Sequence, residues 1–235
     1  MLQPNTYPRL LGQALTLEPA PFVEMADDDN PWIEGLFFVF VLGLVVAIAR
    51  LIGGLLLSAS LPLPEAVLEA VLTGLDGIVP VASAQQAGLE TGLRQIWPWA
   101  TAAAHYGGGW LRLLGLIATP LGYIGQWLIY GLLCHLATRL VGGRGTLGQT
   151  LGVVALSSAP RVLLLVTILP FAAVGGLLIH VWGVLIAYRG LEVAHDLSPT
   201  KAAFAALAPL ILGVLVALIS STAFLTLLRL TGGGA

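Results

Sequence analysis

Apolar residues gather along this chain in five long runs, each broad enough to cross a bilayer and none alternating as a strand would. About 20 helical residues span the roughly 30 Å of membrane hydrocarbon. Segments of that length lie at about 35–58, 112–141, 146–169, 171–194 and 202–228. Glycine or proline separates the later ones: GGRG at 142–145, LPF at 169–171 and DLSPT at 196–200. The acidic stretch DDDNPWIE precedes the first run, with Pro31 and Trp32 suited to a helix start at the interface. The second run is the least sharply bounded. Arg112 and Pro120 argue that its helix is bent or begins late, somewhere between Trp110 and Pro120.

Between the first two runs the pattern changes. LPLPEAVLEAVLTGLDGIV places Glu65, Glu69, Thr73 and Asp76 on one helical face, and Val67, Leu68, Val71, Leu72 and Leu75 on the other. This predicts an amphipathic helix at about 63–79 whose acidic face disfavours anionic lipid, so that it caps the bundle or meets a partner. The following WPWATAAAHYGGGW reads as an interfacial aromatic belt on a connection. The expectation is an all-α integral membrane bundle: a short cytoplasmic pre-membrane segment, 1–34, then a five-helix membrane domain, 35–235.

Composition strengthens that picture. Of 235 residues, 57% are hydrophobic and 9% charged, against roughly 25% charged in a soluble domain. Net charge is −2, far from the basic footprint of a nucleic-acid binder. The one cysteine, Cys134, forms no intrachain disulfide. No secretory signal opens the chain, so membrane entry is expected through the first span. Arg139 and Arg144 lie in one connection and Arg189 and Lys201 in another, which predicts the amino terminus in the cytoplasm and the carboxyl terminus outside.

The third span carries the most informative polar residues. In SSAPRVLL, Pro160 removes a backbone donor and clashes with the carbonyl four residues earlier, predicting a kink at about Leu156. Ser157 and Ser158 stand ready to answer the freed backbone groups. Arg161 beside them would cost at least about 2.5 kcal/mol in the bilayer centre, so it is expected to face the bundle interior. A tight hairpin at 169–171 would bring His180 to the depth of Arg161, whereas Glu192 would lie about 16 Å away along the helix, too far to pair.

Three segments together resemble the bacterial branch of the Yip1-domain family. They are GGRGTLGQTLGVVALSSAP, HVWGVLIAYRGLEVAHDLSPTKA and RLLGQALTLEPAPFVEM. The carriers are Gly142, Gly143, Thr146, Gln149 and Pro160; Trp182, Gly190, Leu191, His195, Lys201 and Ala202; and Leu17, Pro19, Phe22 and Met25. The resemblance implies a five-helix membrane domain with a cytoplasmic amino-terminal segment. Eukaryotic members are associated with Rab-type GTPases and vesicle traffic, but their acidic-aromatic motifs before the first span are not recognisable here.

Sequence signatures of metalloproteases, serine hydrolases and P-loops are missing, and DDDN reads as a solvated cap on a helix start. His135 and His180 each follow a glycine by four residues, leaving room for a flat macrocycle such as haem or a pigment. Their depths differ by about 10 Å, too much for two axial ligands of one haem, and an interhelical hydrogen bond is the default reading of each. No cofactor is expected. The sequence points to a non-enzymatic membrane scaffold, adaptor or accessory subunit, with the bilayer and other membrane proteins or further copies as partners. Gly122, Gly125, Gly175, Gly176 and Gly183 permit close helix contact in that role. The alternative is a transporter or lipid-handling protein whose broken third helix lines the path.

Overall fold

A computed structural model describes residues 4–78, 83–103 and 111–232. These form α-helices and two 3-10 helices, with no strand among the described residues. Five helical segments are long and apolar enough to span a membrane: Pro31–Ser60, Leu113–Leu140, Leu147–Ile168, Gly176–His195 and Pro199–Phe224. The residues divide into two compact units. The first comprises Met1–Phe40, Tyr123–Pro160 and Gly176–Ala235, and the second Val41–Gly122 and Arg161–Gly175.

In the first unit the pre-membrane segment is itself helical, as α1 (Tyr7–Leu15) and α2 (Ala20–Ala26). Both helices pack inward: Leu10, Ala14, Phe22 and Met25 are fully buried. Tyr7 donates a hydrogen bond to Glu34 at the start of α3 (Pro31–Ser60), and burial beside that carboxylate pushes the Tyr7 phenol up. The third span begins as α7 (Leu147–Ala155), started by a reciprocal cap in which Thr146 accepts from the Gln149 N–H and the Gln149 side chain accepts from the Thr146 N–H. Gly152 meets α3 so closely that a Cβ there would stand 2.8 Å from Pro31, so only glycine permits this crossing. Packed against α7 are α2 and α8 (Gly176–His195), and α8 in turn packs against α9 (Pro199–Gly232).

At Leu156 the third span changes from α-helix to a 3-10 helix, Leu156–Ile168. That is the residue at which Pro160 was expected to disturb the helix. A 3-10 run of this length is uncommon, because its hydrogen bonds are less well aligned, but it rises about 2.0 Å per residue rather than 1.5 Å. Ser158 and Pro160 are buried, and the Ser157 carbonyl lies against Gly183 of α8, 2.8 Å from where a Cβ would be.

The second unit holds the carboxyl-terminal half of α3, α4 (Pro64–Ile78), α5 (Ser83–Ala103), the first turns of α6 (Leu111–Leu140) and residues 161–175. The amphipathic stretch is α4; Leu68 is buried, whereas Val71, expected on the apolar face, is exposed. Arg94 of α5 pairs with Glu69 of α4 at 2.9 Å, and the Trp97 indole donates to the Pro64 carbonyl. Residues 97–103, read as a connection, are the last turns of α5, and 104–110 lie outside the described residues. Helix α6 runs through Pro120 without interruption from Leu111. The fourth span starts at Gly176 rather than at Phe171: Pro170 ends helical bonding and Phe171 takes a left-handed φ of 65°. The expected tight hairpin at 169–171 is thus an irregular link over 169–175.

Candidate functional site

Polar groups concentrate where α6 ends, α7 begins, α8 ends and α9 begins, all within the first unit. Helix α6 closes with a left-handed Gly142 (φ 90°), and the Gly143 N–H returns to the Thr138 carbonyl at 2.8 Å while the Gly142 N–H returns to Arg139. This glycine-dependent cap satisfies carbonyls a helix end otherwise leaves open. Gly143 then passes so near His195 that a Cβ would meet its Nδ1 at 2.8 Å. The loop GGRG is therefore a collar around an imidazole, not a phosphate cradle.

His195 is 1% exposed, yet both ring nitrogens are bonded. The backbone N–H of Gly145 donates to Nδ1 at 3.1 Å. Nδ1 must then carry the lone pair, and the proton of the neutral ring sits on Nε2, 2.8 Å from the Thr150 hydroxyl. Thr150 donates onward to the Thr146 carbonyl at 2.9 Å. Its remaining lone pair lies 2.8 Å from Nδ1 of His135, which acts as donor. Two histidines from different spans thus converge on one hydroxyl, with ring centres 5.8 Å apart. Around them Arg139, Arg144 and Lys201 are exposed, and Arg139 donates to the Gly143 carbonyl.

The other sequence candidates fall as follows. Trp182 donates from its indole to the Leu15 carbonyl at 3.0 Å, fastening α8 to the end of α1. Glu192 pairs with Arg189 on its own helix. His180 is exposed and bonds the Gly176 carbonyl of its own helix at 2.7 Å, so it is not the interhelical histidine expected. Arg161 is half-buried in the second unit, whereas Ser157, Ser158 and Pro160 belong to the first. Among the described residues no cluster of three metal-binding side chains occurs.

Most residues that carried the family resemblance are thus in contact or in the same network. Gly142, Gly143, Thr146, Gln149 and His195 build the collar, and Gln149 also donates to the Ala26 carbonyl of α2. Phe22 lies against Gly190 and Val153. A family model for the Yip1 domain matches residues 13–221. The chain belongs to the Yip1 family. Comparison with curated proteins finds no match, and comparison with solved structures finds none. The matched region takes in α2 and all the spans but the last turns of α9, so this Yip1 domain is a multi-pass membrane unit that includes the segment before the first span.

One residue escaped the sequence reading. Arg50 lies inside the first span, half-buried, and lines a groove in the second unit. Its signal was a lone cation within a long apolar run, followed by Gly53 and Gly54.

Proposed function

We propose that this Yip1-family chain is a non-enzymatic integral membrane scaffold or accessory subunit, joining other membrane proteins or further copies through helix faces it does not use internally. The observation that carries this reading is α9: residues 210–224 are exposed on every side, far beyond what packing against α8 requires. Gly213, Ala217 and Ser221 recur there at four-residue spacing, a pattern that lets helices approach closely in lipid. A Cβ on Gly213 would meet nothing within 4 Å, and the same holds for Gly122, Gly125, Gly175 and Gly176. The polar collar supports the reading from the other side, because His195 spends both ring nitrogens on tying the end of α8 to the α6–α7 loop and to α7.

The transport alternative called for a cavity reaching Arg161 and Pro160. The groove beside Arg50 ends its lining at Leu164, one 3-10 turn short of Arg161, and so does not itself supply that path. We place the collar end with Arg139, Arg144, Arg189 and Lys201 in the cytoplasm, on the arginine and lysine bias of the connections.

The test is assembly after gentle solubilisation. The wild type is expected in a particle heavier than its 24.5 kDa monomer. Gly213→Leu, which has free space inside the chain, is expected to lose that assembly with unchanged melting. A wild type that runs as a bare monomer, or a Gly213→Leu that assembles normally, would remove the support.

A further inference from the structure

The groove at Arg50 has a volume of about 620 Å³ and is lined on one side by Arg50, Gly53, Gly54 and Leu57 of α3 and by Leu61 just beyond its end. Gly53, Gly54 and Leu57 lie three, four and seven residues after Arg50, so the four form one stripe of the helix. The opposite wall is the end of the 3-10 helix and its link, from Leu164 and Thr167 to Val174. At its floor the two backbones nearly touch: a Cβ on Gly53 would stand 1.8 Å from the Thr167 carbonyl oxygen. Apart from Thr167, whose hydroxyl donates to the Leu164 carbonyl, every wall but one is apolar or backbone. The exception is the Arg50 guanidinium, which makes no hydrogen bond or ion pair among the described residues.

An unpaired cation in a membrane span demands an answer, and its depth says which one. Counting about 20 residues of hydrocarbon from Gly35, just after the last acid of α3, puts the far boundary near Gly54. Arg50 then sits about 6 Å inside it, within reach of the headgroup layer by extension of its own side chain. The backbone N–H groups of Ala173 and Val174, on the facing wall, also have no acceptor among the described residues. A guanidinium and free N–H donors at headgroup depth, in a groove otherwise walled mainly by apolar side chains and backbone, are complementary to a phosphate carried on acyl chains.

We propose that this groove binds an anionic glycerophospholipid of the leaflet on the α3–α4 side, with the phosphate on Arg50 and an acyl chain entering the bilayer past Leu164. The site is separate from the exposed face of α9 and stands independently of the scaffold reading.

The test uses the full chain in detergent, titrated with phosphatidylglycerol or phosphatidylcholine and read by native mass spectrometry. Wild type is expected to bind the anionic lipid about tenfold more tightly, the scale of one charge-assisted contact near the surface. Arg50→Gln is expected to bind the two lipids equally, Arg50→Lys to keep part of the preference, and Arg139→Gln, which removes a cation at the collar, to keep all of it. Leu57→Trp, which fills the groove on the headgroup side of Arg50 and leaves the charge, is expected to lose both lipids; it carries the test alone if Arg50→Gln does not fold. Excess inorganic phosphate is expected to leave the lipid in place. An undiminished preference in Arg50→Gln, equal binding of both lipids by wild type, or full displacement by inorganic phosphate would overturn the proposal.

Discussion

The collar around His195 and the groove at Arg50 each set a polar side chain in apolar surroundings, and they resolve the conflict in opposite ways. His195 is neutral and enclosed, and each of its nitrogens has a partner within the same unit. Arg50 is charged and half-exposed, and none of the described residues answers it. A buried group whose bonds are all made stabilises the fold and has nothing left over for a ligand. A cation left unpaired in a span is costly to keep unless something outside the chain completes it. The difference assigns structure to the first and binding to the second.

The sharpest way to break the comparison is at the floor of the groove. Gly53→Ala puts a methyl carbon where the Thr167 carbonyl already stands, and backbone cannot swing aside as a side chain can. We expect a loss of about 3 kcal/mol or more and little folded protein; near-normal melting would mean that the two walls are not in contact. At the collar, His195→Leu leaves the Gly145 N–H without its acceptor, and Thr150 and His135 without the ring that orders them. Removing one partner from a buried donor costs about 1–3 kcal/mol, so a visible fall in melting temperature is expected without any change in lipid preference. A lipid preference that fell along with stability would erase the distinction between the two regions.

Much of this architecture was legible because a bilayer leaves a chain few options. Five apolar runs needed no tertiary information, and the place of the break in the third span could be read from the missing N–H of Pro160, although a kink was expected there and the structure shows a change to 3-10 helix from Leu156. The resemblance carried by Gly142, Gly143 and His195 was visible as a set of residues, but their reason was not. Only coordinates bring the Gly145 N–H to an imidazole 50 residues later.

Helices α1 and α5 were hidden for different reasons: α1 is only nine residues long, too short to be stable without packing, and α5 is polar with Pro98 inside it. His180 misled because a glycine four residues before it looked like room for a flat macrocycle, whereas that glycine supplies the carbonyl it bonds. Arg50 was overlooked because one charge scarcely alters the hydropathy of a 30-residue helix. Its consequence depends on the groove beside it.

The most direct test of the contrast is melting of wild type, Arg50→Gln and His195→Leu in zwitterionic detergent micelles, with and without added phosphatidylglycerol. The account predicts that wild type gains from the anionic lipid by about 1 kcal/mol, that His195→Leu starts lower but gains as much, and that Arg50→Gln starts near wild type and gains nothing. A full gain in Arg50→Gln would contradict it.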